Sequence, residues 1–181
     1  MAHPAFVTFL DRMDHLVATE NDPHAIANST GYHLAELLAE PGFLAEQHRR
    51  ADTEAYAQHV VHVHPQGKYS VVALVWLPGQ TTPIHNHICW CVVGVLQGQE
   101  REISYELAGD DQEQWLEVRN EQLYPAGDVC CLVPPFGDIH RVENPSDGVS
   151  ISIHVYGADI GVLGSSINKR YSCEVRSSSA A

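Results

Sequence analysis

Positive charge is scarce in this sequence. Of 181 residues, 10 are Lys or Arg against 23 Asp or Glu, a formal net charge of −13. So acidic a chain does not suit nucleic-acid phosphates or an anionic membrane, and neither is expected as a partner. An anionic small molecule would need a local positive site instead. Long apolar runs are missing too; none approaches the length of a membrane span. The N-terminal stretch MAHPAFVTFLDRMDHL carries Asp11 and Asp14 inside its apolar residues, which does not fit a secretory leader. Cysteine is sparse and odd in number. Cys89, Cys91, Cys130, Cys131 and Cys173 show no framework spacing, so reduced thiols in a cytoplasmic setting are expected. Adjacent Cys130 and Cys131 read as core packing. No second domain and no clear repeat is visible. One domain over residues 1–172 is expected, with a fraying tail at 173–181.

What is present divides into two patterns. Residues 1–52 read as helical. Phe6, Val7, Phe9, Leu10, Met13, Leu16 and Val17 recur at helical spacing. Asp22-Pro23 fits an N-cap followed by proline at the first helical position. HLAELLA (33–39) is a second helical pattern, stopped by Pro41-Gly42, and a third short one runs through Gln47. From about residue 55 to 160 the period becomes two. Ser70–Leu77 and Cys89–Gln97 are near-continuous apolar runs suited to strands buried on both faces. Arg101–Leu107 reads as a hairpin strand closed by Gly109-Asp110-Asp111. Segments 115–118, 122–124, 129–133, 140–143 and 149–156 complete a series of short strands with Gly and Pro turns. That series predicts an all-β barrel or sandwich core behind N-terminal helices. Trp76 and Trp90 read as barrel packing, one of them a candidate pocket wall.

His85-Asn86-His87 is the most informative feature within that series. Side chains at i and i+2 on a strand share a face, so both imidazoles point the same way. His140 on a later strand could complete a facial three-histidine site, leaving open positions on a metal. Spacing alone does not decide this, since His62 and His64 share it.

The surrounding residues decide more. Gly79, His85, His87, the slot at Cys91 and Gly98 resemble the first cupin motif. Gly137, His140 and Asn144 resemble the second, with Pro134 one residue off the usual spacing. The resemblance implies a small cupin, a double-stranded β-helix or jelly-roll barrel. Most cupins place glutamate in the slot that Cys91 fills here. Three neutral imidazoles leave the metal's charge uncompensated, which favours anionic ligands such as a thiolate and a carboxylate. An all-histidine set resembles the thiol dioxygenases of the cysteine dioxygenase family. Ser152-Ile153-His154-Val155-Tyr156 resembles that family's S-x-H-x-Y relay, and KYSVVALVWLPGQTTPIHNH and HRVENPS resemble its iron-site segments.

That likeness covers roughly residues 56–160 and implies Fe(II) on His85, His87 and His140. It implies a relay of Tyr156, His154 and Ser152, and a small thiol plus dioxygen converted to a sulfinate. It also implies a possible thioether between Cys91 and Tyr156. Tyr56-Ala57-Gln58-His59 resembles the glutamine-type bacterial enzymes, which favour 3-mercaptopropionate, with L-cysteine the alternative. Those enzymes hold the substrate carboxylate with an arginine where this chain reads Gly164-Ser165. Gln58 and the later Arg170 are the candidate substrate contacts. Three histidines also suit zinc, so another cupin enzyme or a non-catalytic metal or ligand sensor stays open. A monomer or small homo-oligomer is expected.

Overall fold

The computed structural model describes residues 3–40, 42–110 and 112–176. Residues 1–2, 41, 111 and 177–181 lie outside the described residues, and with them Pro41 of the expected helix stop, Asp111 of the expected hairpin loop and the end of the expected tail. Helix α1 (Pro4–Thr19) starts where His3 Nδ1 accepts the Ala5 N–H at 3.3 Å, with Pro4 in its first turn. It buries Phe6, Phe9 and Met13, while Val7 falls on the exposed face. Helix α2 (Pro23–Leu38) starts where Asp22 accepts the His24 N–H at 3.1 Å. The Asp22-Pro23 start and the HLAELLA pattern therefore belong to one helix. The third helical pattern is a single 3-10 turn, Glu46–His48. No helix among the described residues is long and apolar enough to cross a membrane.

The chain then runs through β1 (Ala57–Val63), β2 (Ser70–Trp76), β3 (His85–His87) and β4 (Cys91–Gln97). β5 (Gln99–Gly109), β6 (Gln114–Pro125), β7 (Val129–Leu132), β8 (His140–Glu143) and β9 (Ser150–Tyr156) follow. A short helix α3 (Ile160–Leu163), β10 (Ile167–Arg170) and β11 (Val175–Arg176) close the series. One sheet has the order β1-β2-β9-β4-β7, and the other β10-β3-β8-β5-β6-β11. This is the small cupin barrel behind N-terminal helices that the sequence pointed to.

Alternation along β2 and β9 explains the two cores. Val71, Ala73 and Val75, with Ile151, Ile153 and Val155, face outward and pack beneath α1 and α2. Val72, Leu74 and Trp76, with Tyr156, face the barrel interior. Both faces of these strands are thus buried, as the unbroken apolar run of β2 requires. Where α2 crosses β4, a Cβ on Gly94 would stand 2.7 Å from Leu38 and 2.9 Å from Leu34, so glycine permits the approach.

Four expectations are corrected. Segments 115–118 and 122–124 form one strand, β6, because β5 pairs along its whole length with a single bulge at Ser104/Tyr105. Strand structure continues past residue 160, where β10 pairs antiparallel with β3. Residues 173–176 do not fray: β11 pairs parallel with β6, and Arg176 lies 4.3 Å over the Trp115 ring. Cys131 is exposed, with its thiol donating to the Ala27 carbonyl at 3.4 Å, rather than packed in the core.

Candidate metal centre

His85 and His140 are direct cross-strand partners on β3 and β8, and His87 shares the inward face of β3. All three are at most 5% exposed. Their ring centroids lie 4.7–4.9 Å apart, and one ring nitrogen from each falls within 4.8 Å of the others. Two of the three Nδ1 atoms are anchored. His85 Nδ1 donates to the Pro83 carbonyl at 2.8 Å, and His140 Nδ1 donates to Glu102 Oε1 at 2.6 Å. Asp138 accepts the His87 backbone N–H at 2.8 Å, and its carboxylate faces His87 Nδ1 at 3.8 Å. With protons on Nδ1 of His85 and His140, their Nε2 lone pairs are left for a metal.

Burial favours the neutral form of His85 and His87. Burial pushes His85 down to about 3, with repulsion from His140 and His87 adding to it. Burial also lowers His87, against the opposing pull of Asp138. Burial alone would raise the Glu102 carboxyl, but its hydrogen bond and charge contact with His140 hold it below the usual range. The sequence reading missed Glu102 and Asp138. Buried Asp138 and half-buried Glu102 stand behind two of the three imidazoles, so the charge deficit inferred from Cys91 is partly made up one layer out. The available signal was strand alternation, which turns Glu102 inward beside His140.

The relay residues are also brought together. Tyr156 Oη donates to His154 Nδ1 at 3.0 Å, and His154 Nε2 donates to Ser152 Oγ at 2.9 Å. Trp76 Nε1 donates to the same Ser152 oxygen at 3.2 Å. Burial, then repulsion from the three histidines, pushes His154 down to about 3. Burial likewise lifts the Tyr156 phenol well above its usual value, so it stays protonated. Cys91 on β4 is the cross-strand partner of Tyr156 on β9, and both are buried. Its sulfur lies 3.9 Å from His154 Nδ1.

A cavity of about 30 Å³ joins these groups. His85, His87, His140, His154, Tyr156 and Gln58 are among its walls. Trp76 walls it as well, with Tyr56 stacked on it at 4.4 Å between ring centroids. Ser165, Ser166 and Ile167 close another side. They come from the α3–β10 segment, just after the Gly164-Ser165 position. Arg170 is not brought in. It sits opposite His85 in the strand register, but its side chain is exposed and does not line the cavity. Its charge does reach the Tyr56 phenol, whose burial-raised pKa it partly lowers.

Residues 44–161 match the family model described as cysteine dioxygenase type I. The chain belongs to the cysteine dioxygenase type I family. Several solved structures are similar at low identity. The protein TT1209 from Thermus thermophilus shares 20% identity, with 62% of this chain and 92% of that one covered and a TM-score of 0.46. A Cupin 2 conserved barrel domain protein from Salinispora arenicola shares 21% identity over 69% and 93% of the two chains, TM-score 0.42. An uncharacterized conserved protein with a double-stranded β-helix domain from Klebsiella pneumoniae gives 20%, 66% and 92%, TM-score 0.47. In this cysteine dioxygenase family member, three buried imidazoles whose ring nitrogens lie within 4.8 Å of one another, two of them anchored through Nδ1, fit a metal ion.

Proposed function

We propose that this protein is a mononuclear non-haem iron thiol dioxygenase. Its substrate is a small carboxylate-bearing thiol, 3-mercaptopropionate foremost, which it converts to the sulfinate. The carrying observation is that the three-histidine cluster and the Tyr156–His154 pair wall one small cavity. His85, His87 and His140 would hold Fe(II), with Pro83 and Glu102 fixing the His85 and His140 rings and Asp138 holding the His87 backbone. When bound, iron supplies the redox capacity and open positions through which dioxygen reacts at a thiol sulfur.

The chain's own residues position and protect that chemistry. Tyr156 presents a protonated phenol to the cavity, held by His154, which is held by Ser152. Packing by Trp76 and Tyr56 keeps water out. Gln58 offers an amide to the far end of the substrate, and Arg170 supplies positive potential at the Tyr56 side. Cys91 and Tyr156, buried cross-strand partners, would form a thioether by losing two hydrogens to dioxygen, which would fix the phenol. A peptide joining them, lighter by one hydrogen pair, would identify it by mass spectrometry; two intact separate peptides would exclude it.

L-cysteine is the second substrate reading, favoured by the description of the matching family model. Oxygen uptake by the iron-loaded protein with 3-mercaptopropionate, L-cysteine, cysteamine and mercaptosuccinate tests the proposal. Uptake coupled to a sulfinate supports it, and the best thiol sets the substrate. No uptake with iron bound points to another cupin chemistry.

A further inference from the structure

Glu100 is a buried acid outside the chemistry described above. It sits on β5, 2% exposed, and its Oε1 has no hydrogen-bond partner. The Ser152 hydroxyl and the Trp76 indole lie against its carboxyl. Ser152 is also the last member of the Tyr156–His154–Ser152 chain. A buried carboxyl with an unpartnered oxygen, lying beside the Ser152 end of this hydrogen-bond chain, costs stability.

We propose that Glu100 is the terminal proton acceptor of this chain, taking up the proton that a thiol substrate loses on entering the cavity. The proposal rests on the thiol reading above. The hydrogen bonds give the chain a direction. Ser152 Oγ accepts from both His154 Nε2 and Trp76 Nε1, so its own proton is free for Glu100. The thiol S–H breaks and its proton passes to Tyr156 Oη. Tyr156 gives its own proton to His154 Nδ1, His154 gives its Nε2 proton to Ser152, and Ser152 gives its proton to Glu100. Each intermediate atom gains one proton and loses one, and no electrons move. Afterwards His154 donates from Nδ1 to Tyr156, which turns the phenol hydrogen toward the cavity. Filling Glu100 thus switches Tyr156 from donor to His154 into donor to the bound ligand.

The surroundings suit an acid that can hold or release a proton near neutrality. Burial pushes the Glu100 carboxyl up to about 7, opposed by Ser152 and Trp76 and reinforced by Glu102. The other titratable groups around it are Tyr124 on β6, Asp128 before β7, Cys130 on β7, His140 on β8 and His154 on β9. Burial holds the Tyr124 phenol and the Cys130 thiol above their usual values, so neither competes as an anion. His140 is tied to Glu102 instead. Glu100 is a positioning residue here, since it acts on substrate only through the chain.

Infrared difference spectroscopy of the iron-loaded protein, with 3-mercaptopropionate added without oxygen, tests this. The wild type should gain the carbonyl stretch of a protonated carboxyl, and Glu100→Gln should not. The alkaline-rising limb of kcat/KM near pH 7 should be absent in Glu100→Gln, with kcat/KM lower by about tenfold and iron content unchanged. Should Glu100→Gln fail to fold, Ser152→Ala keeps the carboxyl but cuts the chain, so the thiol-induced band should vanish. A band that persists in Ser152→Ala, or a wild type that turns thiol over with no band, overturns the proposal. If no thiol is oxidised, the dioxygenase reading fails, and thiol-free protein titrated from about pH 5 to about pH 9 still decides on Glu100. A protonated carboxyl lost on raising pH through about 7 and absent from Glu100→Gln supports the acceptor; no such band overturns it.

Discussion

At the scale of single residues, the centre depends on groups behind its obvious members. Glu102 fixes His140 through a 2.6 Å hydrogen bond. Glu102→Gln should therefore weaken iron binding by about 10–100-fold in a chelator competition while leaving the fold intact. Tyr156→Phe and His154→Asn remove the phenol and its holder but touch no anchored imidazole. Both should retain iron and lose turnover, by about 100-fold for Tyr156→Phe. Glu100 makes a separate, metal-independent prediction. Unfolded, its carboxyl loses a proton near 4.5; folded, near 7. The folded state therefore binds more protons between those values, and stability falls as pH rises through that window. The cost above it is about 3 kcal/mol at most. Glu100→Gln should flatten this fall in denaturant titrations across that pH range; an unchanged slope would show that the carboxyl ionises freely in the folded protein.

At the scale of elements, the sheet does the positioning. β3, β8 and β9 each contribute inward side chains by alternation alone, which is why His85, His87, His140 and the Ser152-His154-Tyr156 set were legible in the sequence. The long apolar runs of β2 and β4 were legible for the same reason, since both faces are covered. β10 was not. INKR has no apolar alternation, because it is an edge strand with exposed Asn168, Lys169 and Arg170, and its pairing with β3 is a tertiary event. That hid the Ser165–Ile167 wall of the cavity. β6 was read as two pieces because its exposed middle, RNEQ, carries no core signal, although β5 pairs with it throughout. The α2–β4 contact gives a test of the outer face. Gly94→Ala should lose about 1–3 kcal/mol of stability by driving a methyl into Leu34 and Leu38, with iron content unchanged. Loss of iron in that variant would mean the outer and inner faces of β4 are coupled.

At the scale of the whole molecule, charge sets how substrate arrives. The chain carries −13, and the proposed carboxylate-bearing thiol would approach against that field. Added salt screens the repulsion. The kcat/KM for 3-mercaptopropionate should therefore rise with ionic strength, while that for the cationic thiol cysteamine should fall. The reverse order would mean that local potential near Arg170 outweighs the net charge. The central claim is that dioxygen is added to a thiol sulfur in this barrel. Turnover of 3-mercaptopropionate by the iron-loaded protein under isotopically labelled dioxygen, with mass analysis of the product, tests it most directly. A sulfinate carrying both labelled oxygen atoms is the expected product. Disulfide alone, or a sulfinate with oxygen from water, would contradict the claim.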